Sequence, residues 1–135
     1  MRRLNAILCL SSAAIMFGSA RGLAQSPWVP LGNFGHPALL DTSAIIRRSS
    51  NAAVVRVRLV GYTGAGYDRV ETQEINCRTH QSRVLKAEEV QVGERGVSEL
   101  RAPPADSAWH SYVRGSLGGQ LLGALCVYVL GVSDR

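Results

Sequence analysis

The sequence predicts an α+β domain that is mostly β, with antiparallel strands followed by one C-terminal helix. Three observations support this prediction. Apolar and polar side chains alternate in the middle of the chain, turn-forming residues separate the alternating segments, and an uncharged glycine-rich stretch, GSLGGQLLGALCVYVLG, lies near the C-terminus. Because strands do not alternate with long helices, a doubly wound α/β fold is not expected.

The first 24 residues have the pattern of a cleaved secretory signal. Two arginines precede an apolar run over residues 4–17, and Gly22 and Ala24 place small side chains before a cut ahead of Gln25. An uncleaved membrane anchor is the alternative, but the run is shorter than the roughly 20 residues that a span needs. Cys9 does not fit a lipobox, because it lies too early and follows Leu8. We therefore expect an exported protein, in the periplasm or at the cell surface, with residues 25–135 as a single domain.

Removal of the signal changes the charge balance of the chain. Three of the 15 basic residues and none of the 10 acidic ones lie in residues 1–24, so the net charge falls from +5 to +2. A strongly basic surface for nucleic acid is then not indicated, and nucleic acid is not an expected partner.

Short strands are predicted on both sides of a glycine-containing connection at residues 61–68. Residues 51–62, NAAVVRVRLVGY, have the alternation of a half-buried antiparallel strand. One face of this strand carries Ala53, Val55, Val57 and Leu59, and the other carries Arg56 and Arg58. SAIIRR is the predicted partner strand before it, and the predicted strands after the connection are RVETQEINC, SRVLKAEEVQV and GVSEL.

Four arginines are the candidates for a binding surface: Arg47, Arg48, Arg56 and Arg58. On an exposed sheet face they would form a basic stripe. The stripe is either an ordinary solvated face or a surface for acidic segments of a partner protein.

No set of residues predicts catalysis, a metal site or a cofactor. GYTGAG has the glycines of a phosphate loop, but a strand pattern and not a helix follows it. Glu88 and Glu89 are adjacent and lie on opposite faces of a strand, so they cannot act as an acid–base pair. The histidines at positions 36, 80 and 110 are scattered. We therefore expect a protein that is not an enzyme.

The glycine-rich stretch predicts a helix that packs on the sheet. Ser116 is a suitable N-cap, and an apolar stripe follows at Leu117, Leu121, Ala124, Leu125 and Tyr128. Its glycines would let the helix backbone lie close to the sheet. A membrane span is the alternative, but the glycines disfavour a free-standing helix and Gln120 lies inside the run. The tail after residue 126 is compatible with more helix, a last strand or a frayed end.

Two cysteines, Cys77 and Cys126, remain after signal removal. In an oxidising compartment two cysteines of a small domain most often pair, and two buried free thiols are the alternative. A bridge would stabilise the fold by about 4 kcal/mol in the chain-entropy model.

Several short motifs resemble one family. They are Trp28, LLDTSAIIRR at 39–48, EINCRTHQSR at 74–83 and WHSYVRGSLGGQLLGALC at 109–126. The chain resembles the surface-adhesin E family of exported proteobacterial proteins. The positions that match the family pattern are Asp41, Ser43, Ile45, Cys77, Trp109, Ser116, Leu121 and Cys126.

The resemblance implies a single curved antiparallel sheet with a C-terminal helix that a disulfide tethers to it. It also implies a protein-binding function, with extracellular-matrix-type proteins such as vitronectin and laminin as ligands, and a homodimer. The chain departs from the lipoprotein members because it has no lipobox cysteine. A soluble periplasmic accessory protein without host ligands is therefore the alternative function. No ligand-binding motif of the family matches this sequence residue by residue, so the resemblance does not indicate which residues would bind a ligand.

Overall fold

A computed structural model describes residues 27–64, 66–93, 96–101 and 107–132. The predicted signal at residues 1–24 lies outside these ranges. Within them, the strands are β1 (Trp28–Asn33), β2 (Pro37–Asp41), β3 (Ile46–Arg47), β4 (Ala52–Gly64), β5 (Tyr67–Asn76), β6 (Gln81–Gly93), β7 (Gly96–Arg101) and β8 (His110–Ser111). The helix α1 (Leu117–Leu125) continues as a π-helical turn over Cys126–Leu130.

The described strands form one curved antiparallel sheet, as predicted. Their order is β1-β2-β4-β5-β6-β7, with β3 beside β4 and β8 beside β6. A disulfide joins Cys77, just after β5, to Cys126, just after α1. The predicted α+β fold class, mostly β with a tethered C-terminal helix, is therefore confirmed.

The central strand β4 has the predicted alternation. Ala53, Val55 and Val57 are fully buried on the face that α1 covers, while Arg56 and Arg58 alternate with them. Directly opposite residues on neighbouring antiparallel strands point to the same face. Val57 pairs with Leu40 of β2, which is also fully buried, so the core extends from β4 to β2.

Strands β1 and β2 were not predicted from the sequence. Pro30, Gly32 and Pro37 weaken the strand pattern in this part of the chain. In the fold β1 is an edge strand of the described sheet, where a proline can be accommodated because one side of the strand makes no ladder hydrogen bonds. A register shift between Pro30 and Gly32 interrupts its pairing with β2.

Two predicted segment boundaries are corrected. Most of the predicted connection at residues 61–68 is strand, because β4 runs to Gly64 and β5 begins at Tyr67. Positive φ angles at Gly61 and Gly64 accommodate the irregular pairing at this end of the hairpin. SAIIRR is strand only at Ile46–Arg47, because Asp41 caps a 3-10 turn over Thr42–Ala44.

The helix begins where predicted, with the Ser116 side chain accepting a hydrogen bond from the Gly119 amide. The predicted apolar stripe is correct only in part, because Leu125 is buried and Leu121 packs against the core, whereas Leu117 and Tyr128 are exposed. The buried residues are Leu122, Leu125, Cys126 and Val129. Leu122, Leu125 and Val129 lie four positions before, one before and three after the bonded Cys126. The disulfide and the helical repeat therefore together determine which face of the helix is buried.

The tail after Cys126 extends the helix and ends at Gly131, which has a left-handed φ of 65°. Two of the helix glycines do not serve the approach to the sheet that the sequence predicted. A Cβ at Gly118 would lie 2.6 Å from the Tyr112 ring, and one at Gly119 would lie 2.3 Å from the Val113 carbonyl oxygen. These glycines therefore allow the chain that leads into the helix to pass directly against it.

Candidate functional site

The face of the sheet opposite α1 carries a network of charges and aromatic rings. Three rungs of the ladder place its members: Arg56–Thr72–Lys86, Arg58–Val70–Glu88 and Val54–Glu74–Arg83. We call this surface the open face, and its charged and aromatic residues are Trp28, Asp41, Arg56, Arg58, Asp68, Glu74, Arg83, Lys86, Glu88 and Trp109.

Arg56 is at the centre of the open face and lies between two buried carboxylates. Its Nη1 is 3.6 Å from Asp41 Oδ2, and its Nη2 is 3.3 Å from Glu88 Oε2. Lys86 also pairs with Glu88, at 2.5 Å. The hydrogen bond from Lys86 lowers the pKa of Glu88 below its ordinary value. Burial opposes this shift, and the charges of Lys86 and Arg56 add to it.

Each tryptophan of the chain lies against an arginine of this network. The Arg56 guanidinium carbon is 5.6 Å from the Trp28 ring centroid, and that of Arg83 is 4.8 Å from the Trp109 ring centroid. Arg83 also forms an ion pair with Glu74, in which Arg83 Nη2 lies 2.6 Å from Glu74 Oε2. The open face thus holds two Trp–Arg pairs whose arginines are also held by carboxylates.

A further ion pair lies at the hairpin end of the open face. Arg58 Nε is 2.6 Å from Asp68 Oδ2, and Asp68 Oδ1 accepts a hydrogen bond from the Gly61 amide at 2.9 Å. This pair borders a shallow cavity of 580 Å³ with apolar walls from Leu39, Val60 and Val92. An apolar side chain of a partner fits such a depression better than a charged one does.

The four arginines predicted as a binding surface are divided by the fold. Arg56 and Arg58 lie on the open face, as the alternation in β4 predicts. Arg47 pairs with Ala53 and points to the helix side, where its Nε donates to the Val129 carbonyl oxygen at 3.0 Å. Arg48 follows β3 and is exposed. The four side chains therefore do not form one continuous stripe.

Among the side chains that the structure describes, the open face is also not basic. There, four cations, Arg56, Arg58, Arg83 and Lys86, face four carboxylates, Asp41, Asp68, Glu74 and Glu88. This balance could not be seen in the arginine pattern of β4 alone, because the carboxylates come from β2, β5 and β6. The same holds for Trp109, which reaches Arg83 only because β8 pairs with β6.

In the described ranges, no group of three or more histidine, cysteine, aspartate or glutamate side chains is arranged to hold a metal ion. The helices of the same residues include none that is both long and apolar enough to cross a membrane.

Comparison with protein-family models, with curated proteins and with solved structures found no match. The resemblance to the surface-adhesin E family therefore stays a prediction from the motifs. The geometry of the open face is the remaining guide to what the chain does.

Proposed function

We propose that the chain is an exported protein-binding module that engages its partner through the open face. The observation that carries this proposal is the placement of both tryptophans on that face, each against an ion-paired arginine. Tryptophan and arginine are the residues most enriched among those that dominate protein–protein binding energies. Arginines that are already fixed by carboxylates lose little further freedom when a partner binds, so less of the binding energy is spent on ordering them.

The surroundings of the Trp–Arg pairs support a protein as the partner. Exposed apolar side chains stand among the charges, with Ile46 at 51%, Val92 at 41% and Trp109 at 40% exposure. Nucleic acid requires an excess of positive charge to neutralise phosphates, whereas the charges of the open face balance. A surface of mixed sign fits a partner surface of mixed sign, and it gives specificity through matched pairs.

Export of the chain is supported by the predicted signal and by the disulfide, since disulfides persist in oxidising compartments. The specific form that we propose is a module similar to surface-adhesin E, with extracellular-matrix-type ligands and a homodimer as its assembly. The alternative is a soluble periplasmic accessory protein without host ligands, which would use the same face for a partner in the cell envelope.

Site-specific photo-crosslinking in the producing cells tests the open face. A benzoylphenylalanine replaces Trp109 in one variant and Tyr128, an exposed residue on the helix side, in the matched control. We expect a discrete crosslinked polypeptide from position 109 and none from position 128. Equal labelling at both positions, or no labelling at position 109, would contradict binding through this face.

Two further measurements separate the adhesin from the periplasmic alternative. An adhesin should be removed from intact cells by added protease, whereas a periplasmic protein should be released by osmotic shock and survive the protease. Immobilised vitronectin and laminin should retain the wild type and lose the Trp109→Ala variant if the adhesin form is correct. Absence of retention, together with release by osmotic shock, favours the periplasmic accessory protein.

A further inference from the structure

A second cavity lies on the other side of the sheet, between β5 and the start of α1. It has a volume of 300 Å³, at the lower end of the range for small-molecule sites. The residues that give it chemical character are Phe34, His36, Tyr62, Glu71, Gln73 and Tyr112. It is separate from the open face, and the inference drawn from it does not depend on the proposed protein-binding function.

The floor of this cavity is polar, although it belongs to the core face of the sheet. Glu71 is opposite Val57, Gln73 is opposite Val55, and both valines are fully buried. Glu71 is only 8% exposed and Gln73 only 7%. Burying a carboxylate and an amide is costly where apolar residues would fit, and buried polar groups under a cavity are a mark of ligand sites.

The two polar side chains are held in place by hydrogen bonds. Gln73 donates through Nε2 to Glu71 Oε2, and Arg69 donates through Nε to Glu71 Oε1 at 2.6 Å. Each carboxylate oxygen therefore has one donor and retains a second lone pair. Of the described side chains that line the cavity, Glu71 is the one that carries a carboxylate, and none is a lysine or an arginine. The cation nearest to Glu71 is Arg69, which lies outside this lining and forms an ion pair with it.

The walls of the cavity are partly aliphatic, from Leu59, Val84, Leu117 and Leu121, and partly aromatic. The rings of His36 and Tyr62 lie 5.1 Å apart at one side, and Phe34 and Tyr112 contribute two more rings. The faces of such rings attract cations. The fold already shows this preference, because the Arg69 guanidinium carbon lies 5.2 Å from the Tyr62 ring centroid.

We propose that this cavity binds a small organic cation of the alkylammonium class, of about the size of choline. The ammonium group would lie against the aromatic rings and near Glu71, whose negative charge it would share with Arg69. A carboxylate or phosphate ligand would be repelled by the negative charge of Glu71, and the described lining has no lysine or arginine to bind it. A neutral apolar ligand would remove Glu71 and Gln73 from water without offering them a hydrogen bond or an opposite charge, which is unfavourable.

Two glycines allow the cavity walls to take this shape. A Cβ at Gly118 would collide with the Tyr112 ring, so the ring packs directly against the helix only because this residue is glycine. At Gly35, which has a φ of 81°, a Cβ would lie 3.1 Å from Leu117. The loop between β1 and β2 and the start of α1 can therefore approach each other closely beside the cavity.

Isothermal titration with choline chloride and with its neutral isostere 3,3-dimethylbutan-1-ol tests the proposal on the intact exported chain. Choline should bind about tenfold or more tightly than the isostere, since only the cation gains from the rings and from Glu71. The amide resonance of Gly118 should shift on titration and that of Ile46, on the opposite face, should not. Equal affinity for the two compounds, or no binding of choline, overturns the proposal.

Variants at the floor and the rim locate the site. Glu71→Gln should weaken choline binding about tenfold or more, whereas Glu74→Gln, on the same strand and the opposite face, should leave it unchanged. Should Glu71→Gln fail to fold by circular dichroism, Tyr62→Leu at the exposed rim replaces it and should weaken binding severalfold. Unchanged choline affinity in a folded variant at either position overturns the proposal.

The same ammonium group occurs in free small molecules and in the headgroup of phosphatidylcholine. We commit to the free molecule, because the cavity has the volume of a small-molecule site. Sedimentation with phosphatidylcholine vesicles distinguishes the two sources. The chain should stay in the supernatant while free choline binds, and sedimentation with vesicles in the absence of choline binding overturns the assignment.

Discussion

Cys77 is joined by a disulfide to Cys126, from which it is separated by 49 positions in the chain, and their Cα atoms lie 5.8 Å apart. The bond connects the end of β5 to the junction between α1 and the π-helical turn. Cys126 is buried together with Leu125 and Val129. The covalent tether and the apolar helix face therefore act at the same place, and each positions the other.

Replacement of Cys126 by serine should lower the free energy of unfolding by about 4 kcal/mol, the chain-entropy value for a loop of this length. This is a large part of the stability of a small domain. Thermal unfolding followed by circular dichroism measures it. A reducing agent should lower the Tm of the wild type and leave that of Cys126→Ser unchanged. An unchanged wild-type Tm under reduction would show that the tether contributes nothing.

The parts of the fold that follow from local pattern were predicted well. The alternation of β4 places Val55 and Val57 in the core, and Ser116 begins the helix. Strands β1 and β2 could not be predicted in this way, because Pro30 is tolerated only through the edge position of β1, and Pro37 only as the first residue of β2. The phase of the helix depends on its tether as well as on residue spacing, which predicts the burial of Leu125 correctly and that of Leu117 and Tyr128 wrongly.

The candidate site likewise has features that local sequence pattern predicts and features that it does not. That Arg56 and Arg58 share a face follows from the period of a strand. Their neutralisation by Glu88 and Asp68 depends on the registers of β5 and β6, which no local pattern contains. The buried position of Glu71 also depends on partners from other strands. The sequence therefore predicts the face of the sheet on which an individual side chain lies. The register between strands determines which partners that side chain has.

Alanine at Gly119 should destabilise the chain by about 2 kcal/mol, because the new Cβ would lie 2.3 Å from the Val113 carbonyl oxygen, a backbone atom. Gly118→Ala is the matched control. Its Cβ meets the Tyr112 side chain, which can rotate, and alanine has the same gain in helix propensity at both positions. Urea unfolding should rank Gly119→Ala below Gly118→Ala, and the reverse order would contradict the close backbone contact.

Glu88 should make the stability of the chain depend on pH in the acid range. The pKa of Glu88 is lowered in the folded state from its ordinary value of 4.5, mainly because Lys86 donates a hydrogen bond to it. The charges of Lys86 and Arg56 also lower this pKa, and burial opposes the shift without cancelling it. The unfolded chain therefore takes up a proton first as pH falls below about 4.5. The stabilisation is complete above that pH and is lost as the pH falls through the folded pKa.

Denaturant unfolding at a series of pH values checks this dependence. Glu88→Gln should have a shallower fall in stability below about pH 4.5 than the wild type. Glu89→Gln is the matched control, because it removes a carboxyl from the next position of β6, on the opposite face from Lys86 and Arg56. A Glu88→Gln variant with the wild-type slope would show that the network around Arg56 does not hold this carboxylate.

His80, in the turn between β5 and β6, has a left-handed φ of 54°, and within the described part of the chain its buried Nε2 has no hydrogen-bond partner. Asparagine adopts this backbone conformation readily and alanine does not. His80→Asn should therefore be at least as stable as the wild type and about 1 kcal/mol more stable than His80→Ala. Both variants remove the ring, so thermal unfolding of the pair isolates the backbone effect. Equal Tm values for the two variants would show that this turn imposes no left-handed requirement.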